Sequence, residues 1–267
     1  MPRLNKLSKA KNIVNEWISK NNPDVDLNLR GLNLTELPLI PDTVKILNCN
    51  CNKLTSLPKL HEGLEELYCS FNNIDELTNL PSTLKILYCV GNNKLKLECP
   101  PNLEELLCKD NSFKECPKLP ESLIDLDISC NDLKSLPILP KGLLHLYISD
   151  NYLSKMPKLP DKLETLVIDK NMIKYVKKLP PTLTHFSCCN NKLKWLPSLP
   201  ENLESLFCSD NRLTKLPEMP DAIEFLRCKK NNFQSLPDLA SIMHLSMDKD
   251  DICLLPWIPE GFTIEDI

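Results

Sequence analysis

From Leu27 onward the apolar residues fall on a fixed frame, and polar residues fill the places between them. Leu64-Glu65-Glu66-Leu67-Tyr68-Cys69-Ser70-Phe71-Asn72 aligns without gaps with Leu203-Glu204-Ser205-Leu206-Phe207-Cys208-Ser209-Asp210-Asn211. Leu67 and Cys69 alternate with Glu66, Tyr68 and Ser70, the period-two pattern of a strand with one buried face. The frame recurs at Asn52, Asn72 and Asn92, then at Asn111, Asn131, Asn151, Asn171, Asn191, Asn211 and Asn231. Its step is 20 residues, with 19 between Asn92 and Asn111. Leu27–Leu32 fits the frame with Leu32 in the asparagine slot, and Leu245–Asp250 fits it with Asp250 there. A fading copy runs from Leu255 through Pro259. A period of this length marks a stacked-repeat architecture, here of about twelve strand-bearing units.

The second half of each unit carries the prolines. Of 23 prolines, 21 lie at or after residue 38, against five glycines in the whole chain. A segment such as Leu136-Pro137-Ile138-Leu139-Pro140 suits neither a helix interior nor a central strand, because proline has no N–H and a fixed φ. It suits an extended, polyproline-like return path with its leucines turned inward. Where the chain turns after each strand, buried backbone groups need partners. The recurring asparagine has the donors and acceptor to bond its own turn and the next coil, forming a ladder. Residues 3–20 show a different spacing: Leu4, Leu7, Ile13, Val14, Trp17 and Ile18 recur at near-helical intervals. This predicts a basic amphipathic helix that covers the open edge of the first repeat.

The unit reads L-x-x-L-x-C/I-x-x-N-x-L-x-x-L-P-x-L-P-x-x over roughly residues 27–262. It resembles the short 20-residue class of leucine-rich repeat found in secreted effectors of enteric bacteria, ubiquitin-ligase effectors among them, and in giant-virus proteins. The resemblance implies an α/β solenoid, a right-handed horseshoe with a parallel concave sheet and an extended polyproline-like convex side. The domain expectation is residues 1–25 as the capping helix and 26–267 as the repeats.

Composition narrows the function classes. The net charge of −4 argues against nucleic acid as the main partner, and no apolar stretch is long enough to span a membrane. The first residues lack the apolar core of a signal peptide, so the expectation is a cytoplasmic chain with reduced thiols. Thirteen cysteines, an odd number, cannot all pair internally. Seven of them share one inward slot (49, 69, 89, 108, 188, 208 and 228), which Ile128, Ile148, Ile168 and Met247 fill elsewhere. A slot that accepts aliphatic residues asks for a small buried hydrophobe. Cys189 is expected on the outer face, too far from His185 for a nucleophile–base pair. His145, His185 and His244 share a surface column at two- and three-coil intervals, too wide for a common metal site. No catalytic residues, metal ligands or cofactor are expected.

Function is therefore sought on the outward side of the strands. The central column holds Tyr68, Tyr88, Leu107, Asp127, Tyr147, Phe207 and Arg227, and the flanking column Ile86, His145 and Phe225. Aromatic and arginine side chains with no core to fill are what protein-binding surfaces favour. Lateral stacking that merely stabilises the sheet is the competing reading. The expectation is a non-enzymatic module binding a protein partner through its concave face, with end-to-end self-association through the C-terminal repeat as a further contact. The alternative is a substrate-recognition subunit of a ubiquitin-ligase assembly that lacks its own catalytic domain.

Overall fold

A computed structural model of the chain describes residues 6–20, 22–239 and 242–255. The fading copy after Leu255, the proposed C-terminal contact built on it and Leu4 of the helix lie outside these residues. The chain divides into two compact units, Met1–Asn131 and Asp132–Ile267.

The first unit opens with helix α1 (Lys6–Lys20). Its buried side chains are Ala10, Val14 and Trp17, a stripe at i, i+4 and i+7. Ile18, expected on the docking stripe, is half exposed, whereas Ala10 is fully buried. The helix packs on strand β1 (Leu27–Asn28) and is tied to the connecting turn by Trp17, whose Nε1 donates to the Val25 carbonyl at 2.8 Å. From β1 the chain winds through β2 (Ile46–Asn48), β3 (Glu66–Tyr68), β5 (Ile86–Tyr88), β7 (Glu105–Leu107) and β8 (Asp125–Asp127). These strands pair parallel in sequence order, with Leu47, Leu67, Leu87, Leu106 and Leu126 in register.

The second unit repeats the plan with β9 (His145–Tyr147), β10 (Thr165–Val167), β11 (His185–Ser187), β12 (Ser205–Phe207), β13 (Phe225–Arg227) and β14 (His244–Ser246). They also pair parallel in sequence order. A 3₁₀ helix, Lys249–Leu254, follows. Each unit is a parallel solenoid whose core is built from the leucine frame and the slot that takes cysteine or isoleucine; Cys69, Cys108, Ile148 and Cys208 are all fully buried.

The asparagines form a ladder as expected, but each reaches back to the preceding coil and not on to the next one. Asn72 accepts the Leu54 N–H at 3.0 Å and donates to the Cys49 and Cys69 carbonyls at 3.0 and 3.1 Å. Asn171 repeats this, accepting from Leu153 N and donating to the Ile148 and Ile168 carbonyls. Each amide thereby joins its own turn to the coil before it.

The residue just before each ladder asparagine has φ near +55°, whatever its identity: Cys51, Phe71, Asp110, Lys170 and Lys230 are examples. Its N–H is held by the following coil, as in Lys170 N to Cys189 O at 2.8 Å. The return segments are mostly extended and unpaired, with one exception in the first unit. There β4 (Glu76–Leu77) pairs parallel with β6 (Lys96–Leu97). Thr78 and Glu98 stand where every other coil but that of Lys177 has proline, so two adjacent returns keep the N–H groups that pairing needs.

Candidate functional site: the outward face of the strands

The register fixes two side-by-side columns on the outward face of the ladder strands in each unit. In the first unit Tyr68, Tyr88, Leu107 and Asp127 follow one another down the central column, and Glu66, Ile86, Glu105 and Asp125 down the flanking one. Tyr68, Ile86, Tyr88, Leu107 and Asp127 are all half-buried. The two tyrosine rings meet edge to face with centroids 4.9 Å apart. Neither hydroxyl is idle: Tyr68 donates to Glu66 Oε2 at 2.6 Å, and Tyr88 donates to Glu105 Oε1. Partial burial, then the neighbouring carboxylates, disfavours both tyrosinates; Tyr88 is pushed up to about 12 and Tyr68 moves the same way. Asp127 turns one oxygen back to the Ser129 N–H at 2.9 Å.

In the second unit the central column runs Tyr147, Val167, Ser187, Phe207, Arg227 and Ser246, and the flanking one His145, Thr165, His185, Ser205, Phe225 and His244. Tyr147 and Phe225 are more than a third exposed, Arg227 is exposed, and Phe207 and His145 are half-buried. The Arg227 guanidinium lies over the Phe207 ring, 5.1 Å from its centroid. Phe225 stacks on His244 with centroids 4.5 Å apart and planes 5° from parallel. Tyr68, Ile86, Tyr88 and Leu107 are thus brought together on the first unit and Phe207, Phe225 and Arg227 on the second, whereas His145 and Tyr147 stand apart on β9, three strands from Phe207. Glu66, Glu105 and His244 complete them as polar partners of the rings; each stands next to its aromatic in the columns, which was the available signal.

The outer face also carries a half-buried carboxylate. Asp169 Oδ1 accepts the Ser187 hydroxyl and the Cys189 N–H, both at 2.7 Å. Burial raises the Asp169 pKa against the lowering effect of those two bonds. The Cys189 thiol is pushed up to about 11, by burial first and by Asp169 second. A thiol so shifted stays protonated at neutral pH and is a weak nucleophile. His185 is engaged elsewhere, its Nδ1 lying 2.8 Å from the Thr184 hydroxyl. The face presents apolar rings held in place by polar neighbours and rimmed by charge.

Comparison with known proteins agrees with the repeat. No family model matches the chain, and no curated protein matches it significantly. Among solved structures, YopM from Yersinia enterocolitica WA-314 aligns with a TM-score of 0.84 and 34% identity over 97% of this chain and 58% of that one. The chain thus spans a little over half the length of that structure. YopM from Yersinia pestis, a leucine-rich effector protein, aligns over 93% of this chain and 95% of that one, with 26% identity and a TM-score of 0.57. A chain of an octameric complex of Latrophilin 3, Unc5D and FLRT2 (LRR) aligns over 82% and 79% respectively, with 26% identity and a TM-score of 0.65. Among the described residues no helix is long and apolar enough to cross a membrane.

Proposed function

We propose that this leucine-rich repeat protein is a protein-interaction module that seizes its partner on the outward face of its strands, the side expected to be concave, without catalysing a reaction. The observation that carries this reading is the fixing of its surface aromatics by polar neighbours. Tyr68 and Tyr88 are oriented by Glu66 and Glu105, and Phe207 and Phe225 by Arg227 and His244. Rings held this way lose little freedom on binding, which lowers the entropic cost of association. The rings stack laterally, yet Phe225 keeps 38% of its surface exposed, which stacking alone does not use. The leucine-rich neighbours, an effector and a chain of an octameric protein complex, support the same class of function.

The test is capture from cell lysate, followed by affinity measurement on the purified partner. The native chain is compared with Tyr68→Ala/Tyr88→Ala and with Phe207→Ala/Phe225→Ala, circular dichroism confirming that each is folded. Burying one such ring is worth about 1.5–3 kcal/mol, so either pair should weaken Kd by at least about tenfold. Identical partners held with identical affinity by all three would sink the reading.

A further inference from the structure

The net charge of −4 conceals a segregation of charge within the second unit. Its return segments 151–160 and 171–180 carry Lys155 and Lys158, then Lys174, Lys177 and Lys178, and no acid. Segments 191–200 and 211–220 add Lys192 and Lys194, then Arg212 and Lys215, against Glu218 alone. Every one of these nine cations is exposed except the half-buried Lys192. Among the described residues none of them enters an ion pair, whereas Lys230 of the same unit pairs with Asp210 at 3.3 Å. The acids of these coils sit instead on their strand halves, as Glu164, Asp169, Glu204 and Asp210. The return segments of the first unit show no such bias, since Lys53, Lys59, Lys94, Lys96, Lys114 and Lys118 are matched by Glu36, Asp75, Glu76, Glu98 and Glu115.

The basic side is also grooved. One concavity lies between consecutive returns, with Met156, Tyr175 and the buried Val176 facing Lys158, Lys177 and Lys178, and with Asp161 as its one carboxylate. A second is lined by Lys194, Trp195, Arg212, Thr214, Lys215 and Asn232. Tyr175 and Trp195 hold equivalent places, each four residues after a ladder asparagine, and Trp195 is 46% exposed. The same combination, an aromatic wall with cationic rims, thus occurs twice along one line.

We infer that the return side of the second unit is a second binding surface, for an extended acidic polypeptide segment with apolar residues among its carboxylates. Charge complementarity selects the sign of the occupant. The grooves select its shape: apolar side chains enter at Tyr175 and Trp195 while carboxylates reach the lysines on either side. A bilayer is the poorer fit, because Val176 and Leu159 are buried in the floor and the lysines stand above them. A long nucleic acid would extend past the stripe onto the neighbouring returns, where Asp132 and Asp238 stand, whereas a short peptide ends within it.

The experiment uses the full chain and a short fluorescent peptide of glutamates with interspersed leucines, followed by anisotropy as salt is raised. Binding that weakens with salt is expected, with affinity reduced by about tenfold or more in Lys158→Glu/Lys177→Glu/Lys178→Glu. Lys53→Glu/Lys59→Glu/Lys114→Glu makes the same change of net charge in the first unit and should bind like the native chain. Phe207→Ala/Phe225→Ala should also bind normally, which separates this surface from the outward strand face. These lysines are exposed, so the variants are expected to fold, and circular dichroism checks it. Absence of peptide binding, or equal loss in both lysine variants, overturns the proposal. Tighter binding of an oligothymidylate or of phosphatidylserine vesicles than of the peptide overturns the assignment of an acidic polypeptide.

Discussion

At the scale of single residues, the turn after each strand sets two demands that the sequence meets unequally. One is for an amide in the ladder slot, and asparagine supplies it in ten successive repeats. The other is for a left-handed backbone one residue earlier, and there Phe71, Asp110 and Lys170 stand where glycine would be unstrained. The first demand was legible because only one side chain satisfies it. The second was not, because it falls on the backbone and is enforced by hydrogen bonds to the next coil, so side-chain identity there varies freely. Neighbouring substitutions should therefore have opposite signs. Asn171→Ala strips the Leu153 N–H of its acceptor and three carbonyls of a donor, at a cost of about 2–4 kcal/mol. Lys170→Gly relieves a φ of 50° and should gain about 0.5–1 kcal/mol. Urea midpoints of the two variants read both effects, and a loss of stability in the glycine variant would contradict the strain argument.

At the scale of elements, the period-two pattern located the ladder strands and their register, because a shift by one residue would turn every leucine outward. It missed the β4–β6 pair, which depends on two neighbouring coils both lacking proline. It also missed the bonds from Tyr68 to Glu66 and from Tyr88 to Glu105, since column positions give proximity and not rotamers. The helix was legible as an amphipathic segment, yet its exact stripe was not, as the exposure of Ile18 shows. What the helix does can be tested through its anchor. Trp17 is buried and bonded to Val25, so Trp17→Ala should cost about 3–5 kcal/mol and undock the helix from β1. Undocking exposes Leu27 and the unpaired edge of that strand, which should drive association of the chains. Light scattering and hydrogen exchange at Leu27 and Leu29 would register it; a monomer with unchanged exchange would show that the helix is no cap.

At the scale of the whole molecule, properties summed over the chain mislead. A charge of −4 hides the basic side of the second unit, and a count of 13 cysteines hides the buried slot that seven of them share. That environment makes stability depend on alkaline pH. Burial pushes the Cys49 and Cys228 thiols up to about 12, does the same to Cys99 and Cys116, and raises Cys69, Cys108, Cys188 and Cys208 in the same direction. In the unfolded chain a thiol ionises near about 8.5, so between that pH and the folded value the unfolded state has fewer bound protons than the folded one. Stability contributed by these groups is complete below about pH 8.5 and falls as pH rises toward 12, and Tyr88 adds to the loss above pH 10. The urea midpoint should therefore hold level through neutral pH and drop steeply beyond about pH 8.5. The frame itself supplies the control, because its inward slot accepts branched aliphatics at Ile148 and Ile168. Replacing Cys188, Cys208 and Cys228 by valine should make the alkaline drop shallower while leaving the neutral-pH stability within about 1.5 kcal/mol per site. A drop as steep in that variant as in the native chain would mean that thiol ionisation is not what limits the fold at high pH.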